Sequence, residues 1–361
     1  MKTVLIASGA SGGHLFPAIA VADALRESGA FDVTMVLGGS KFSSVVAGAG
    51  LPYRRLPAAA FNDRGPLRLM LAVMKLLGGV VTAFRMMLRE RPALVFGTGG
   101  YATVALMIAA KVLHVPTMIH EQNVLPGRAN RLLARFADVV LLTFEESRAC
   151  FPPVRGRVVV TGTPVRKQIL AAVENRPPRK SNAFTIFVTG GSQGARILNT
   201  VVPEMLGMME MAERKEVYVI HQARPDDAAR VQAAYEALGL AGFEVSAFFT
   251  DMAAQYAAAD VLIGRSGVST ILESALFGLP AIYVPLNLAD GHQKYNAAVA
   301  EQVGAAVVVG QAYFTPANLL VHIMALKQDK ARLEAMGAAA RKMAVPDATE
   351  RVVAVIRESV A

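Results

Sequence analysis

The sequence has no tryptophan and one cysteine, Cys150, among its 361 residues. A single thiol excludes an internal disulfide framework and any cysteine-built metal cluster, which fits a reducing compartment. Aromatic residues are 7% of the chain, and the basic residues are not interleaved with them. No nucleic acid is therefore expected as a partner. Acidic side chains are outnumbered, 28 against 37 Lys and Arg, for a net charge of +9. That surplus favours polyanions, anionic lipids or phosphorylated small molecules. Two nucleotide signatures are missing as well. No turn fits G-x-G-x-x-G, because residues 9–14 read GASGGH and 190–195 read GGSQGA, and there is no Walker A sequence. The second apolar run ends Leu37–Gly38–Gly39, without an acid for a ribose. A nicotinamide dehydrogenase and a P-loop ATPase are both poor readings. No D-x-D pair of acids stands at a strand end, so neither a metal nor a cofactor is expected.

What is present is apolar: 53% hydrophobic residues and a mean hydropathy of +0.39. At roughly 150 residues per domain the length suggests two domains. The opening run TVLIA is shorter than the apolar core of a signal peptide and reads as a buried strand, so no signal peptide is expected. It runs into a glycine turn and then a periodic helical stretch at 17–28. Further apolar runs at 33–39, 93–100, 115–123, 137–144 and 157–164 read as strands covered on both faces. After the proline-rich 174–183, the segment 185–205 repeats the opening design, with strands at 218–222, 243–249, 260–267, 280–286 and 305–310. Two Rossmann-like α/β halves with parallel sheets follow. A last helix after Pro346 opens with a capping pattern, Asp347-x-x-Glu350.

The stretch 64–91 is long and apolar, broken by Gly78–Gly79 into what reads as a helix pair. Arg68, Lys75, Arg85 and Arg89 fall on one arc at about 100° per residue. Both an anionic membrane surface and an ordinary core helix with one basic stripe satisfy this pattern.

Three glycine turns end apolar runs: SGASGG, GTGG and TGGSQGA. Such turns let backbone N–H groups approach an anion at a helix start. His14 stands inside the first, at the carboxyl end of a strand, where open α/β sheets bind ligands. An imidazole titrating near pH 6.5 accepts a hydroxyl proton at neutral pH. HEQNVLPGRANR at 120–131 reads as a polar substrate surface. In RSGVSTILESALFGLP, Glu273 could accept the hydroxyls of a ribose or close a capping box with Thr270, and spacing does not choose.

SGASGGHLFPA, FGTGGY, HEQNVLPGRANR, TGTPVR, VTGGSQGA, RSGVSTILESALFGLPAIYVP and DGHQKYNA occur in that order between residue 8 and about 297. Together they resemble the MurG family, glycosyltransferase family 28, which transfers GlcNAc to lipid I to make lipid II in peptidoglycan synthesis. The resemblance implies a GT-B fold, two Rossmann-like α/β domains with parallel sheets facing across a cleft. The domains would be an acceptor and membrane-associating half at 1–163 and a UDP-GlcNAc-binding half at 164–340. A helix within 341–361 would cross back to the first. It implies donor contacts at Ser11, Gly12, Gly13, Asn123, Arg166, Ser192, Phe249, Val268, Ser269, Thr270, Ile271, Leu272, Glu273 and Gln293. His14 is the implied base, with small neighbours that would leave room for two sugars beside its imidazole, and Tyr101, His120 and Glu121 are implied on the acceptor side. Ser11 stands where Thr is commoner, and Phe249 where Ile is familiar. The partners implied are UDP-GlcNAc, undecaprenyl-linked lipid I, an anionic membrane surface through 64–91, and cell-wall synthesis proteins. The location implied is the cytoplasmic face of the plasma membrane. A GT-B enzyme with another lipid acceptor, a UDP-sugar epimerase, and a non-catalytic nucleotide-sugar binder are the competing readings.

Overall fold

The structure, a computed structural model, describes every residue except 10, 41, 58–65, 192–193, 287–290 and 361, and only the backbone of 66–69. Two compact units divide the chain, Met1–Arg166 with Val345–Ala361, and Lys167–Ala344.

The first unit holds seven strands: β1 (Lys2–Ser8), β2 (Phe31–Leu37), β3 (Tyr53–Arg55), β4 (Leu94–Gly97), β5 (Thr117–Glu121), β6 (Val139–Leu142) and β7 (Arg157–Val160). Their order is β3-β2-β1-β4-β5-β6-β7, and every pairing is parallel. The order reverses between β1 and β4, so the loops after these two strands open at the switch point where such sheets take ligands. Val4, Leu5, Ile6 and Ala7 of β1 are wholly buried, as a strand covered on both faces requires. The short β3 was not legible in the sequence. Its YRR is polar because it is an exposed edge.

The helix Ala348–Ser359 belongs to this unit and packs Val352, Val353, Val355 and Ile356 into the core beside the Gly12–Glu27 helix. Its expected cap does not form. The Asp347 carboxylate accepts a bond from Arg351 Nε at 2.9 Å instead.

Residues 66–90 form one continuous helix, Pro66–Glu90, rather than a pair. Gly79 is a packing requirement and not a break: a Cβ there would stand 2.5 Å from the Pro57 carbonyl. Ala72, Ala83 and Met87 are the buried seam. Met70, Met74, Leu77, Val81 and Leu88 are exposed on the opposite face, and Lys75, Arg85 and Arg89 flank them. Arg68 falls where only the backbone is described. The core-helix reading is excluded, since only 22% of the apolar window is buried.

The second unit holds β8 (Phe184–Thr189), β9 (Val217–Gln222), β10 (Gly242–Ser246), β11 (Val261–Gly264), β12 (Ala281–Tyr283) and β13 (Ala306–Val308). They run parallel in the order β10-β9-β8-β11-β12-β13, with the switch point between β8 and β11.

Candidate functional site

His14 lies in the first turn of the Gly12–Glu27 helix, and its ring is wedged between two glycines at the switch point of the first sheet. A Cβ at Gly9 would stand 2.8 Å from Nδ1, and one at Gly99 would stand 3.0 Å from Nε2. The two loops also touch, since a Cβ at Gly100 would meet Gly9 Cα at 2.6 Å. The room made by the missing side chains is filled by the imidazole itself. This corrects the expectation that the glycines clear space for two sugars. Nδ1 is 2.8 Å from Ser11 Oγ. Ser11 is the N-cap residue, yet its hydroxyl makes no capping bond. Its side chain orients the histidine.

His120 and Glu121 are buried and held by protein partners. His120 on β5 is fully buried. Its Nε2 donates to the Gly162 carbonyl at 2.8 Å and its Nδ1 accepts from Gln122 Nε2 at 3.0 Å. Burial pushes its pKa down to about 4, so the ring is neutral and structural. Glu121 is 1% exposed. One carboxylate oxygen accepts from Asn123 N and Nδ2 at 2.9 and 3.1 Å, the other from Gly127 N and Asn130 Nδ2 at 3.0 and 2.9 Å. Glu121 therefore folds the loop that presents Asn123. Both residues, expected on the acceptor side, support the loop through these bonds. Tyr101 is half-buried at the start of the helix Tyr101–Val112, which follows the second glycine turn.

Asn130 is a residue that the sequence did not single out. It is 2% exposed, and its Nδ2 ties Glu121 to the His120 carbonyl. It also sits 3.7 Å from the position of a Gly99 Cβ, beside the His14 ring. Arg166, expected with the second half, belongs to the first unit, and its guanidinium lies 4.6 Å from the centre of the Phe16 ring. Gly12 makes room for that ring, 3.2 Å from its would-be Cβ.

In the second unit Ser192 lies outside the described residues. Gly190 and Ala195 are packed closely: a Cβ at Gly190 would stand 2.2 Å from Ala195 N. Gly191 N–H donates to Thr189 Oγ1 at 3.1 Å, and that hydroxyl donates to Gln222 Oε1 at 2.7 Å. The turn after β11 leads into the helix Val268–Leu276, whose N-cap is Gly267. Thr270 is thus inside the helix, and the capping box with Glu273 is excluded. Val268, Ile271, Leu272 and Glu273 are buried, while Ser269 and Thr270 are half-exposed. The three aliphatic side chains are buried, so that stretch can meet a ligand through the N–H groups of its first turn and the two hydroxyls.

Arg265 and Ser266 brace this turn. Arg265 donates to Val284 O at 2.9 Å and Gln311 Oε1 at 3.0 Å, and Ser266 Oγ donates to Gln293 O at 2.8 Å. Gln293 Oε1 accepts from Leu286 N at 2.9 Å, which fixes its side chain at the start of the helix His292–Gln302. Phe249 is 6% exposed, edge-on to Phe187 with ring centres 6.2 Å apart, and Lys180 Nζ lies 5.9 Å from its ring. Its side chain is an anchor, so whatever it gives a ligand comes from its backbone.

Comparison with known proteins gives a consistent result. The glycosyltransferase family 28 N-terminal domain profile matches residues 4–142, and the family's C-terminal domain profile matches 185–352. A Methylobacterium sp. (strain 4-46) protein is 41% identical over 99% of this chain and 96% of its own length. It is named UDP-N-acetylglucosamine--N-acetylmuramyl-(pentapeptide) pyrophosphoryl-undecaprenol N-acetylglucosamine transferase. A Rhodopseudomonas palustris (strain BisB18) protein with the same name is 38% identical over 97% of this chain and 93% of its own length. Among solved structures, Acinetobacter baumannii MurG superposes with a TM-score of 0.79 at 29% identity, covering 99% of this chain and 100% of that one. The Neisseria meningitidis UDP-GlcNAc 2-epimerase bound to UDP-GlcNAc has a TM-score of 0.73 at 14% identity, covering 99% and 100%; it shares the fold alone.

Proposed function

The chain belongs to glycosyltransferase family 28, and on that footing we propose that it transfers GlcNAc from UDP-GlcNAc to undecaprenyl-linked lipid I, giving lipid II and UDP. Its two parallel-sheet α/β domains are the GT-B architecture. The observation that carries the chemistry is the clamped imidazole. In the tautomer this mechanism uses, Nδ1–H donates to Ser11 Oγ and the basic lone pair of His14 is on Nε2, the nitrogen beside Gly99. His14 takes the proton of the MurNAc C4 hydroxyl as that oxygen attacks C1 of the α-linked donor. The anomeric centre inverts in one displacement, and the electron pair of the breaking C1–O bond leaves with UDP.

The donor contacts follow the family pattern. Ser192, Arg166 and the helix start after the third glycine turn meet the diphosphate, Phe249 meets the uracil through its backbone, Glu273 meets the ribose, and Gln293 meets the sugar. Ser11, Gly12, Gly13 and Asn123 complete the donor sugar's surroundings, and Tyr101 stands on the acceptor side. The test is transfer of radiolabelled GlcNAc from UDP-GlcNAc onto lipid I. Absence of a β(1→4)-linked disaccharide product, or epimerised donor in its place, would overturn the assignment.

The exposed apolar face of Pro66–Glu90 and its basic flank support binding to the anionic membrane that carries the acceptor. The segment is also long and apolar enough to cross a membrane. Its charges at Lys75, Arg85 and Arg89 favour a surface position. Reversing those three charges should weaken binding to anionic vesicles; indifference to both the reversal and salt would remove the membrane role.

A further inference from the structure

Arg224 is a cation that neither the sequence motifs nor the family pattern assigns. It lies two residues past the end of β9 and is the N-cap residue of the helix Pro225–Glu236. Its stem lies across the third glycine turn: a Cβ at Gly194 would stand 2.3 Å from Arg224 Cγ and 3.3 Å from Cδ. Gly194 has φ +66°, so glycine is required both by the backbone and by the arginine lying on it. The turn is closed by Gly194 N–H to Gly191 O at 2.9 Å and tethered to Thr189. That contact places the Arg224 stem beside the segment expected to hold the diphosphate.

The fold consumes little of its charge. Asp226 Oδ2 is 3.6 Å from Nη2 and 82% exposed, a loose surface pair. Arg179, by contrast, grips Asp260 through two bonds of 2.8 and 2.6 Å. The other carboxylate of the same turn, Asp227, is held by Asn199 at 3.0 Å and Arg230 at 3.3 Å.

We propose that Arg224 binds the diphosphate of the donor and neutralises it as it departs. The proposal rests on the donor reading above. When the C1–O bond breaks, its electron pair passes to an oxygen of the β-phosphate, and a forked guanidinium suits that developing charge. Asp226 then competes with the diphosphate for one guanidinium, so the two side chains act in opposite directions.

The test is calorimetric binding of UDP and of uridine to the full-length protein and its variants. Arg224→Met should weaken UDP binding by about 10- to 100-fold and leave uridine binding unchanged. Asp226→Asn should tighten UDP binding by about two- to fivefold, and Arg224→Lys should restore part of the loss. Unchanged UDP affinity in Arg224→Met overturns the proposal, and so does an equal loss for uridine, which would mean a collapsed loop. Wild-type protein that binds neither ligand overturns the donor reading itself, a result distinct from both.

Discussion

After β1 the chain turns through SGASGGH, and after β8 it turns through GGSQGA. At the first corner, side chains added to Gly9 or Gly99 collide with an imidazole. At the second, one at Gly190 collides with the backbone of Ala195 and one at Gly194 with the stem of Arg224. The same shortage of side chains therefore seats an imidazole in one unit and an arginine stem in the other. A glycine turn specifies closeness, and the neighbour that exploits the closeness decides the chemistry.

The largest effect expected from breaking this comparison is at His14. His14→Ala should lower turnover by about 10²–10⁴-fold with the donor KM nearly unchanged. Near-normal turnover would move the base elsewhere and leave the first corner as mere packing. Next is Gly99→Ala, which puts a methyl 3.0 Å from Nε2 at a residue with φ +115°. Turnover should fall by about tenfold or more through displacement of the ring. UDP affinity, which the proposal assigns mainly to the other corner, should stay as it was; a parallel loss would show that the corners are not independent.

A smaller effect concerns acid. Each unit buries one histidine, His120 with its pKa lowered to about 4 and His221 to about 3, both through burial. A lowered histidine pKa means that the neutral form is the folded one. Its stability is whole above pH 6.5 and is lost as the pH falls from there toward those values. Each should contribute about 1.4 kcal/mol per pH unit across that window. Thermal unfolding followed from pH 7 to 4.5 should show this slope, and His120→Gln should flatten it for the first unit. An unaltered slope in that variant would mean that His120 carries a charge in the fold.

The smallest effect is expected at Lys180, which faces the Phe249 ring and also bonds Gln255 at 2.9 Å. Lys180→Met should raise the donor KM by about threefold without changing kcat. A change confined to kcat would dissociate this lysine from donor binding.

Much of the fold is legible in the residues. Strands covered on both faces need continuous apolar runs, and the runs at β1, β6, β8 and β11 are of that kind. The polar edge strand β3 carries no such signal, and Gly78–Gly79 imitates a helix break because a packing glycine and a breaking glycine are the same residue. The candidate site was legible as a set of glycine turns with His14 in one of them. Asn130, Arg224 and Arg265 were not, since their importance comes from neighbours 9 to 46 positions away in some of their contacts.

The sequence by itself determined two parallel α/β units and the residue types at their turns, because apolar periodicity and glycine content are local properties. Only the tertiary structure decided which polar groups are spent. His120 and Glu121 read as substrate contacts along the chain, yet Gly162, Gly127 and Asn130 absorb them. A buried polar group must be satisfied, and its partners are brought together by folding across the sheet rather than by neighbourhood in the chain.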